Sequence, residues 1–380
     1  MQTKINKISL KKIVNNFSLS ILSLIIGLVI MEIGLRFFFP VYTDVLFYGD
    51  EFIGYKHIPN KSGQYYFYET GKTKIKINSE GFRDIEHKIA NPGGKYRIVF
   101  LGDSFADALQ ADFEKTFHQL LAKELEKEYP EKYEVFNFGI GAFSTGQEYL
   151  AYKYYVEKYK PDLVVLMFFT NDPLDNCCDD PYKPCFYIEN ETVREKSFKK
   201  KTYTPVKFFI AEYFKTSVFL RDELSKLKRV KAKKNDVESD GIFDSDKIFL
   251  KEYDSDIKKC WDISRHYLRE LKKETSRADT GLKVFIIPHP ASVYEKDKKR
   301  ILDEDTLFNE SYFDFNKPYN EIEKILKEEN ISYLNLMDTL KSKNERLYYF
   351  RDGHLNDKGH EVVFNAILKE LEKDKINILL

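Results

Sequence analysis

Four groups of polar residues in this 380-residue sequence have the side chains that acyl transfer requires. They are Ser104, the loop 137–145, the pair Asn171 and Asp172, and the pair Asp352 and His354. A serine hydroxyl is a weak nucleophile and needs a base to take its proton. A histidine can take that proton near neutral pH, and a carboxylate can hold the imidazole in the required tautomer. The sequence therefore contains the groups needed for acyl transfer through a serine.

The roles of nucleophile and base follow from these residue types. Ser104 is the predicted nucleophile, His354 the predicted base, and Asp352 the carboxylate that orients the base. Each residue also has an ordinary structural interpretation, because Gly-Asp-Ser is a common turn and a loop histidine often bonds to backbone. His289 is the alternative base, since it also follows an apolar run.

The negative charge of a tetrahedral intermediate must be met by N–H donors. We expect these donors to be the backbone N–H of Ser104, the side-chain amide of Asn171, and the backbone of the second loop. In that loop Gly141 and Ala142 are adjacent small residues. The sequence does not decide which of the two supplies the donor.

Apolar runs typical of buried strands precede these groups and must position them. The runs cover residues 96–102, 133–138, 162–169, 282–287 and 331–336. Helical patterns separate them, which predicts an α/β fold with a parallel sheet of about five strands and helices on both faces. The carboxyl ends of parallel strands meet at one edge of a sheet, where ligands bind. We therefore expect the four polar groups to meet at that edge.

The remaining stretches suggest how the domain is bounded. Residues 40–95 form a predicted linker and edge hairpin, followed by one α/β domain over 96–380. An insertion over 173–245 interrupts the alternation of strands and helices. It contains an aromatic stretch, 206–227, for which we expect a helix that covers the sheet or the site.

The N-terminal stretch predicts a membrane anchor. Lysines at positions 4, 7, 11 and 12 precede 19 uncharged residues, Ile13–Met31, and a bilayer core needs about 20 residues. We predict a cytoplasmic tail over 1–12, a transmembrane helix over 13–39, and the rest of the chain outside the cytoplasm, because positive residues stay inside. A cleaved signal peptide and a buried core helix are the alternatives.

Charge and cysteine usage restrict the partners further. Lysine plus arginine and aspartate plus glutamate both number 61, and this balance argues against binding nucleic acid. The four cysteines are Cys177, Cys178, Cys185 and Cys260. Disulfides among them are plausible outside the cytoplasm, although their connectivity is open. A metal cluster is less favoured, since no histidine lies at ligand spacing from the cysteine-rich loop.

The four groups also resemble a known family. Gly102-Asp103-Ser104-Phe105, the glycine-bearing second loop, Asn171-Asp172 and Asp352-x-His354 resemble, in order and approximate spacing, the four blocks of the SGNH (GDSL-type) hydrolases. The segments 349–360 and 78–84 further resemble the branch that includes membrane-anchored acyltransferases and esterases of cell-surface polysaccharides.

The resemblance implies a three-layer α/β/α, flavodoxin-like fold and ester hydrolysis or acyl transfer without a metal or cofactor. It gives Ser104, His354, Asp352 and Asn171 the roles already described. The sequence departs from the family pattern at three points. The glycine of the second block falls on Ala142, with Gly141 beside it; Phe169 replaces the glycine of the third block; and one residue, not two, separates the aspartate from the histidine of the fourth.

Together these features predict a membrane-anchored serine esterase or O-acyltransferase that works through an acyl-enzyme. By the resemblance, its substrate is an acylated small molecule or a cell-envelope carbohydrate, and the acyl group is acetyl. The alternative is a non-catalytic protein of the same fold that binds glycan or a partner protein in envelope assembly.

Overall fold

A computed structural model describes residues 10–38, 47–67, 69–200, 202, 205–217, 219–220, 224, 244–304 and 310–373. The strands are β1 Phe47–Asp50, β2 Gly54–His57, β3 Ser62–Phe67, β4 Gly71–Lys76, β5 Tyr96–Gly102, β6 Tyr133–Asn137, β7 Leu163–Phe169, β8 Phe186–Glu189, β9 Thr192–Glu195, β10 Gly281–Ile287 and β11 Ser332–Asn335. The helices are α1 Leu10–Phe38, α2 Ser104–Asp107, α3 Phe117–Glu128, α4 Thr145–Ala151, α5 Asp172–Asn176, α6 Pro205–Tyr213, α7 Ser255–Arg277, α8 Pro290–Val293, α9 Glu295–Glu304, α10 Lys317–Glu328, α11 Met337–Lys341 and α12 Asp357–Lys373.

The described residues fall into two compact units. One contains the described parts of 1–45 and 203–237, and the other contains those of 46–202 and 238–380. The larger unit is built on a five-stranded sheet in the order β11-β10-β7-β5-β6. All four pairings in this sheet are parallel. The predicted α/β fold with a parallel sheet of about five strands is confirmed.

Helices cover both faces of the sheet because its central strands are apolar on both sides. Alternate residues of β5 and β7 belong to different core clusters: Val99 and Leu166 pack on one face, whereas Phe100 and Val165 pack on the other. Helices α4, α7 and α10 supply apolar residues to the first cluster, and α3 and α12 supply them to the second. The sheet is therefore the middle layer of a three-layer α/β/α sandwich.

The predicted edge hairpin lies in the same unit as the sheet. Strands β1 and β2 form one antiparallel hairpin, and β3 and β4 form a second. Neither hairpin pairs with the five-stranded sheet. Both hairpins belong to the larger unit, and their side-chain contacts within it are described with the site below.

Two disulfides answer the question of cysteine connectivity. Cys177 bonds to Cys260, which joins the end of α5 to α7. Cys178 bonds to Cys185 and closes a short loop before β8. Disulfides of this kind persist in oxidising compartments.

The smaller unit contains α1 and α6. Residues Val14–Phe37 of α1 have a mean hydropathy of 2.3 and are long and apolar enough to cross a membrane. Arg36 donates to the carbonyl of Tyr213 at 2.7 Å, and Glu32 accepts from the backbone of Thr216. The expected helix within 206–227 exists over the α6 range, but its described contacts are with α1. Whether this helix covers the sheet or the site stays a prediction, and positions 218, 221–223 and 225–227 of the stretch lie outside the described residues.

His87 links the segment that follows β4 to strand β6 through hydrogen bonds and ring stacking. Its Nε2 lies 2.9 Å from Asp84 Oδ2, its Nδ1 lies 2.9 Å from Glu134 Oε1, and its ring stacks on Phe136. Burial alone would lower the pKa of His87, but hydrogen bonds and charge from Asp84 and Glu134 raise it to about 9. The folded state therefore favours the protonated ring more than the unfolded state does.

We expect this contact to make stability depend on pH. A pKa raised on folding contributes stability fully below the ordinary histidine pKa of about 6.5, and that stability is lost as pH rises through about 9. The stability difference between wild type and His87→Gln should therefore shrink by about 1–3 kcal/mol between pH 6 and pH 9. Thermal unfolding measured across this range tests it, with His266→Gln as control. A constant difference would contradict the prediction.

Candidate active site

The structure brings the three predicted catalytic residues together. Ser104 begins α2 directly after β5, and its Oγ lies 2.7 Å from Nε2 of His354. The Nδ1 of His354 lies 2.6 Å from Asp352 Oδ1. With Nδ1–H donating to the carboxylate, Nε2 is free to accept the hydroxyl proton of the serine. This is the arrangement of an activated serine nucleophile.

Asp352 is held in its charged form. Burial would raise the pKa of Asp352, but hydrogen bonds and charge from His354, with a hydrogen bond from Gln110, keep it below its ordinary value. A charged carboxylate stabilises the imidazolium that forms when His354 takes the serine proton.

Gly353 allows the side chains of Asp352 and His354 to contact each other although only one residue separates them. In an extended chain, residues two apart share a face but are separated along the strand. Gly353 instead has φ +80°, a left-handed conformation that glycine adopts readily. The turn is closed by the N–H of Tyr349 donating to the carbonyl of His354 at 2.8 Å. The turn thus folds Asp352 back onto the imidazole.

Glu69 holds the loop that carries the acid and base. This residue lies in the turn between β3 and β4. Its carboxylate accepts three backbone N–H groups, from Phe350 at 2.9 Å, Arg351 at 2.6 Å and Asp352 at 2.8 Å. Hydrogen bonds to a charged acceptor are about twice as strong as neutral ones. The hairpin therefore serves as a clamp on the catalytic loop.

Gln110 is a further contact of the acid and base. Its Nε2 lies 2.9 Å from Nδ1 of His354, and with Nδ1 protonated both nitrogens are donors that converge on the carboxylate of Asp352. Gln110 is buried, and it comes six residues after Ser104 in sequence. It is a positioning residue that touches both members of the Asp352–His354 pair.

The turn that carries Ser104 requires glycines where backbones approach closely. A Cβ on Gly139 would lie 2.8 Å from the backbone N of Asp107 and 2.9 Å from the carbonyl carbon of Ala106. Glycine at this position lets the end of β6 pack directly on α2. Asp103 caps α2, its Oδ1 accepting from the N–H of Phe105 at 2.9 Å.

Arg83 supports the other end of α2. Its guanidinium is fully buried and donates to the carbonyls of Asp107 at 3.1 Å and Ala111 at 2.7 Å, and also to that of Ala108. The Ala108 carbonyl also accepts from the N–H of Ala111 at 3.1 Å, and Arg83 gives all three buried carbonyls a charged donor. The segment 78–84 thus fixes the loop after the nucleophile.

The second loop lies beside the nucleophile, but one of its N–H groups is engaged. A Cβ on Gly141 would lie 3.8 Å from Cβ of Ser104. The Gly141 N–H donates to Asp107 Oδ2 at 3.0 Å, and Asp107 Oδ1 is bonded to His57 Nε2 at 2.8 Å. The sequence predicted Gly141 as a possible oxyanion donor. Its N–H already donates to Asp107, so we no longer expect it to bind the oxyanion directly. It positions the loop.

Ala142 and Asn171 remain the predicted donors of the oxyanion hole, together with the Ser104 N–H. The carbonyl of Gly141, which lies in the same peptide unit as the Ala142 N–H, accepts from Tyr55 Oη at 2.9 Å, and this bond fixes the orientation of that N–H. One N–H of the Asn171 amide donates to Asp175 Oδ2 at 2.7 Å. An amide nitrogen carries two hydrogens, so the second can meet an oxyanion.

Of the three buried carboxyls near the nucleophile, those of Glu148 and Asp172 carry little charge near neutral pH, whereas Asp103 stays largely ionised. Burial raises the pKa of Asp103 to about 6, and it raises the pKa values of Glu148 and Asp172 well above their ordinary range, with mutual repulsion adding to the effect. Protonated carboxyls do not oppose the negative charge of a tetrahedral intermediate. Asp172 is therefore a structural acid, since its Oδ2 accepts from the N–H of Phe169.

A small cavity of about 220 Å³ opens at Ser104. Its lining residues are Ser104, Phe105, Phe169, Thr170, Asn171, Asp246, Phe249, His289, Asp352, Gly353 and His354. His289 lines this cavity, but His354 makes the hydrogen bond to Ser104. Burial and the charge of Arg300 lower the pKa of His289 to about 4, and its Nδ1 accepts from the N–H of Ala291. Its role is to form a wall and cap α8.

Among the described residues, no group of three or more histidine, cysteine or acidic side chains could hold a metal ion.

Comparison with known proteins agrees with this geometry. Residues 98–213 match the family model of the GDSL-like lipases and acylhydrolases. This part of the chain is therefore a GDSL-like lipase/acylhydrolase domain. The matched range contains Ser104, the second loop and Asn171, whereas Asp352 and His354 lie beyond it. No curated protein sequence matches the chain.

Several solved structures are similar to this chain. TesA is 12% identical over 74% of this chain and 99% of its own, with a TM-score of 0.39. An acetyl xylan esterase is 17% identical over 72% of this chain and 99% of its own, with a TM-score of 0.40. A catalytic mutant of an acetylxylan esterase from Geobacillus stearothermophilus is 15% identical over 73% of this chain and 95% of its own, with a TM-score of 0.40.

Four residues of the site were not predicted from the sequence: Glu69, Arg83, Gln110 and the His57 that pairs with Asp107. Each acts on a residue far away in the chain or through backbone, so no local spacing identifies it. The Gly-Phe-Arg-Asp segment at 81–84 was singled out by its resemblance, and that signal pointed toward Arg83 without giving its role.

We predict that Gln110 helps to orient the Asp352–His354 pair and influences the protonation of the imidazole. Gln110→Ala removes a donor to the carboxylate, so kcat for an aryl acetate should fall about 3- to 30-fold with KM nearly unchanged. Gln110→Glu adds negative charge beside the imidazole, and charge of that sign favours the imidazolium. The acidic limb of its kcat/KM profile should move to higher pH.

Gln119→Ala is the matched control, since it also removes a buried glutamine but leaves the triad untouched. It should leave the pH profile in place. Equal effects of the Gln110 and Gln119 variants on kcat, with no movement of the profile, would reduce Gln110 to a packing residue.

Proposed function

We propose that this SGNH hydrolase is a membrane-anchored serine esterase or O-acyltransferase that acts outside the cytoplasm on short acyl groups of cell-envelope carbohydrate. The family and the site support ester chemistry in general. The 2.7 Å hydrogen bond between Ser104 and His354 is the observation that carries the catalytic part of the proposal. The acceptor, the acyl group and the location are inferred from the features described next.

The first half-reaction forms an acyl-enzyme. His354 Nε2 takes the hydroxyl proton while Ser104 Oγ attacks the carbonyl carbon of the ester, and the carbonyl π electrons move to its oxygen. The oxyanion is met by the Ser104 N–H, the Ala142 N–H and the Asn171 amide. Collapse of the intermediate breaks the bond to the leaving alcohol, which receives the proton from His354. Asp352 stabilises the imidazolium throughout.

The second half-reaction differs only in the nucleophile. Water or a sugar hydroxyl gives its proton to His354 Nε2 and attacks the acyl carbon, and Ser104 leaves with that proton returned to its oxygen. Water gives hydrolysis, and a sugar hydroxyl gives acyl transfer. Beside the cavity at Ser104, His354 and Asp352 keep about a quarter of their side-chain surface exposed to solvent. Both nucleophiles can reach the acyl-enzyme from this side.

The size of the cavity supports a short acyl group. Its volume of about 220 Å³ is below the range of about 300–1,000 Å³ typical of pockets that take drug-sized ligands. Phe169 stands where the family pattern has a glycine, and its ring packs on Phe105 with centroids 4.2 Å apart. Phe249 closes another side. These rings leave room for an acetyl-sized group.

Two features support the location. The disulfides Cys177–Cys260 and Cys178–Cys185 suit an oxidising compartment. The lysines before α1 favour a cytoplasmic N-terminus. Glu32 and Arg36 of α1 bond to residues 213–216, and cleavage of α1 as a signal peptide would leave those partners without them. We therefore favour a retained anchor.

The test of the catalytic proposal is covalent labelling of the full-length protein in detergent. We expect a fluorophosphonate probe to label wild type at Ser104, and an ester substrate to leave an acyl group on the same residue in a mass spectrum. Ser104→Ala should abolish labelling and lower esterase kcat by at least about 1,000-fold. Ser255→Ala removes an exposed serine and should leave both unchanged.

Labelling that is equal in Ser104→Ala and wild type would overturn the catalytic proposal and favour a protein that only binds its ligand. Supplying a short oligosaccharide with the ester separates the two reactions. Acetylated oligosaccharide indicates transfer, and free acetate alone indicates hydrolysis.

The acyl-chain preference gives a separate prediction. Phe249→Ala removes one wall of the cavity, so the ratio of kcat/KM for an aryl octanoate to that for the acetate should rise at least about fivefold. Phe315→Ala is the matched control: its ring packs on Phe249 with centroids 4.9 Å apart but does not line the cavity. Its ratio should stay within about twofold of wild type. An unchanged ratio in Phe249→Ala would show that another surface selects the acyl chain.

A further inference from the structure

The smaller unit exposes an apolar surface outside α1. On α6 the side chains of Val206, Phe209, Ile210 and Tyr213 recur at helical spacing, which places them on one face, and 43–67% of each is exposed. Phe214 directly after the helix is also 44% exposed. Contiguous exposed apolar side chains mark an interaction surface. We call residues 205–217 the docked segment.

Two charged residues of α1 fix the docked segment in place. The Glu32 carboxylate accepts from the N–H of Lys215 at 3.1 Å, and from the N–H and hydroxyl of Thr216 at 2.9 and 2.8 Å. Arg36 donates to the Tyr213 carbonyl at 2.7 Å and to Glu32 at 2.8 Å. The pair therefore satisfies the backbone where α6 ends and helix resumes over 215–217. This gives a use to the two charged residues of the otherwise uncharged span Val14–Phe37.

These contacts set the depth of the docked segment along α1. The apolar span ends at Phe37, five residues after Glu32, which is about 8 Å along a helix. A group fixed at Glu32 lies close to the end of the span, where the hydrocarbon core of a bilayer meets the headgroups. The exposed apolar face of α6 is thereby held at the depth of the membrane interface.

An apolar groove runs between α1 and the docked segment. It encloses about 550 Å³, and its apolar walls come from Ile25, Leu28, Val29, Ile33, Ile210, Phe214 and Leu220. Side chains of α1 next to it, such as Ile26 and Ile30, are exposed and belong to the surface that faces lipid in a membrane. The groove is thus continuous with the lipid-facing surface of the anchor.

Positive charge accompanies the docked segment. Lysines occur at 199–201 just before it and at 207 and 215 within it. An apolar helical face accompanied by lysines is typical of segments that lie in a membrane interface, where the lysines meet anionic headgroups.

We propose that the docked segment is a second membrane attachment of this protein, lying in the interface beside α1 with lipid acyl chains in the groove. The proposal rests on the proposed retention of α1 as the anchor. Glu32 and Arg36 are the latch that holds the segment against the anchor.

Depth-dependent fluorescence quenching tests this attachment in the full-length protein. The protein is reconstituted in phosphatidylcholine–phosphatidylglycerol vesicles whose acyl chains carry bromine near the headgroup. Phe209→Trp and Phe214→Trp place reporters on the docked segment. Phe37→Trp reports on the anchor, and Tyr312→Trp reports on an exposed site of the sheet unit. The native Trp261 is buried and adds the same background to all four. Retained esterase activity verifies folding of each variant.

We expect quenching in Phe209→Trp and Phe214→Trp to reach at least half of that in Phe37→Trp and at least about three times that in Tyr312→Trp. Adding Glu32→Ala should lower quenching in Phe214→Trp at least twofold and leave Phe37→Trp unchanged. Segment reporters at the level of Tyr312→Trp, with Phe37→Trp quenched, would overturn the second attachment while the anchor stands. No quenching in Phe37→Trp would overturn the anchor and this proposal together.

Discussion

The hydrogen bond from Ser104 to His354 is the constraint on which the rest of the larger unit depends. It joins residues 250 positions apart and must hold a distance of 2.7 Å. The sheet supplies one end of it, because the end of β5 fixes where α2 begins. The other end is a loop, and loops are held less firmly than strands. Many of the polar contacts around the site hold this loop in place.

Three buried or clamped contacts do so. Glu69 binds three successive N–H groups of the loop, and Gln110 touches both the acid and the base. Arg83 fixes the turn on the nucleophile side. A catalytic arrangement loses much of its rate when groups shift by about 1 Å, so such supports matter as much as the reacting atoms. The hairpins and the 78–84 segment are therefore part of the catalytic architecture, although they contribute no strand to the main sheet.

The sequence predicted what residue type and period encode. Five apolar runs gave the five strands, and Ser104, Asp352 and His354 met as their chemistry suggested. It could not find Glu69 or Gln110, because an acid in a hairpin turn and an amide after a short helix look like surface residues until the chain folds. Neighbouring Cys177 and Cys178 could not be told apart for the same reason. The aromatic stretch near 206 had the period of a helix. Such a period does not identify the surface against which the helix packs.

The Cys177–Cys260 bond carries a consequence for when this enzyme becomes active. Asn171 immediately precedes α5, and this disulfide ties the end of that short helix to α7. Before the bond forms, this helix of five residues is joined to α7 by packing and by the hydrogen bond from Asn176 to Ser264 Oγ at 2.9 Å, without a covalent link. In a thiol-rich cytosol the chain would thus be synthesised with its oxyanion hole loosely assembled. If the chain is exported as proposed, the site would mature only after translocation, and acyl esters inside the cell would be spared.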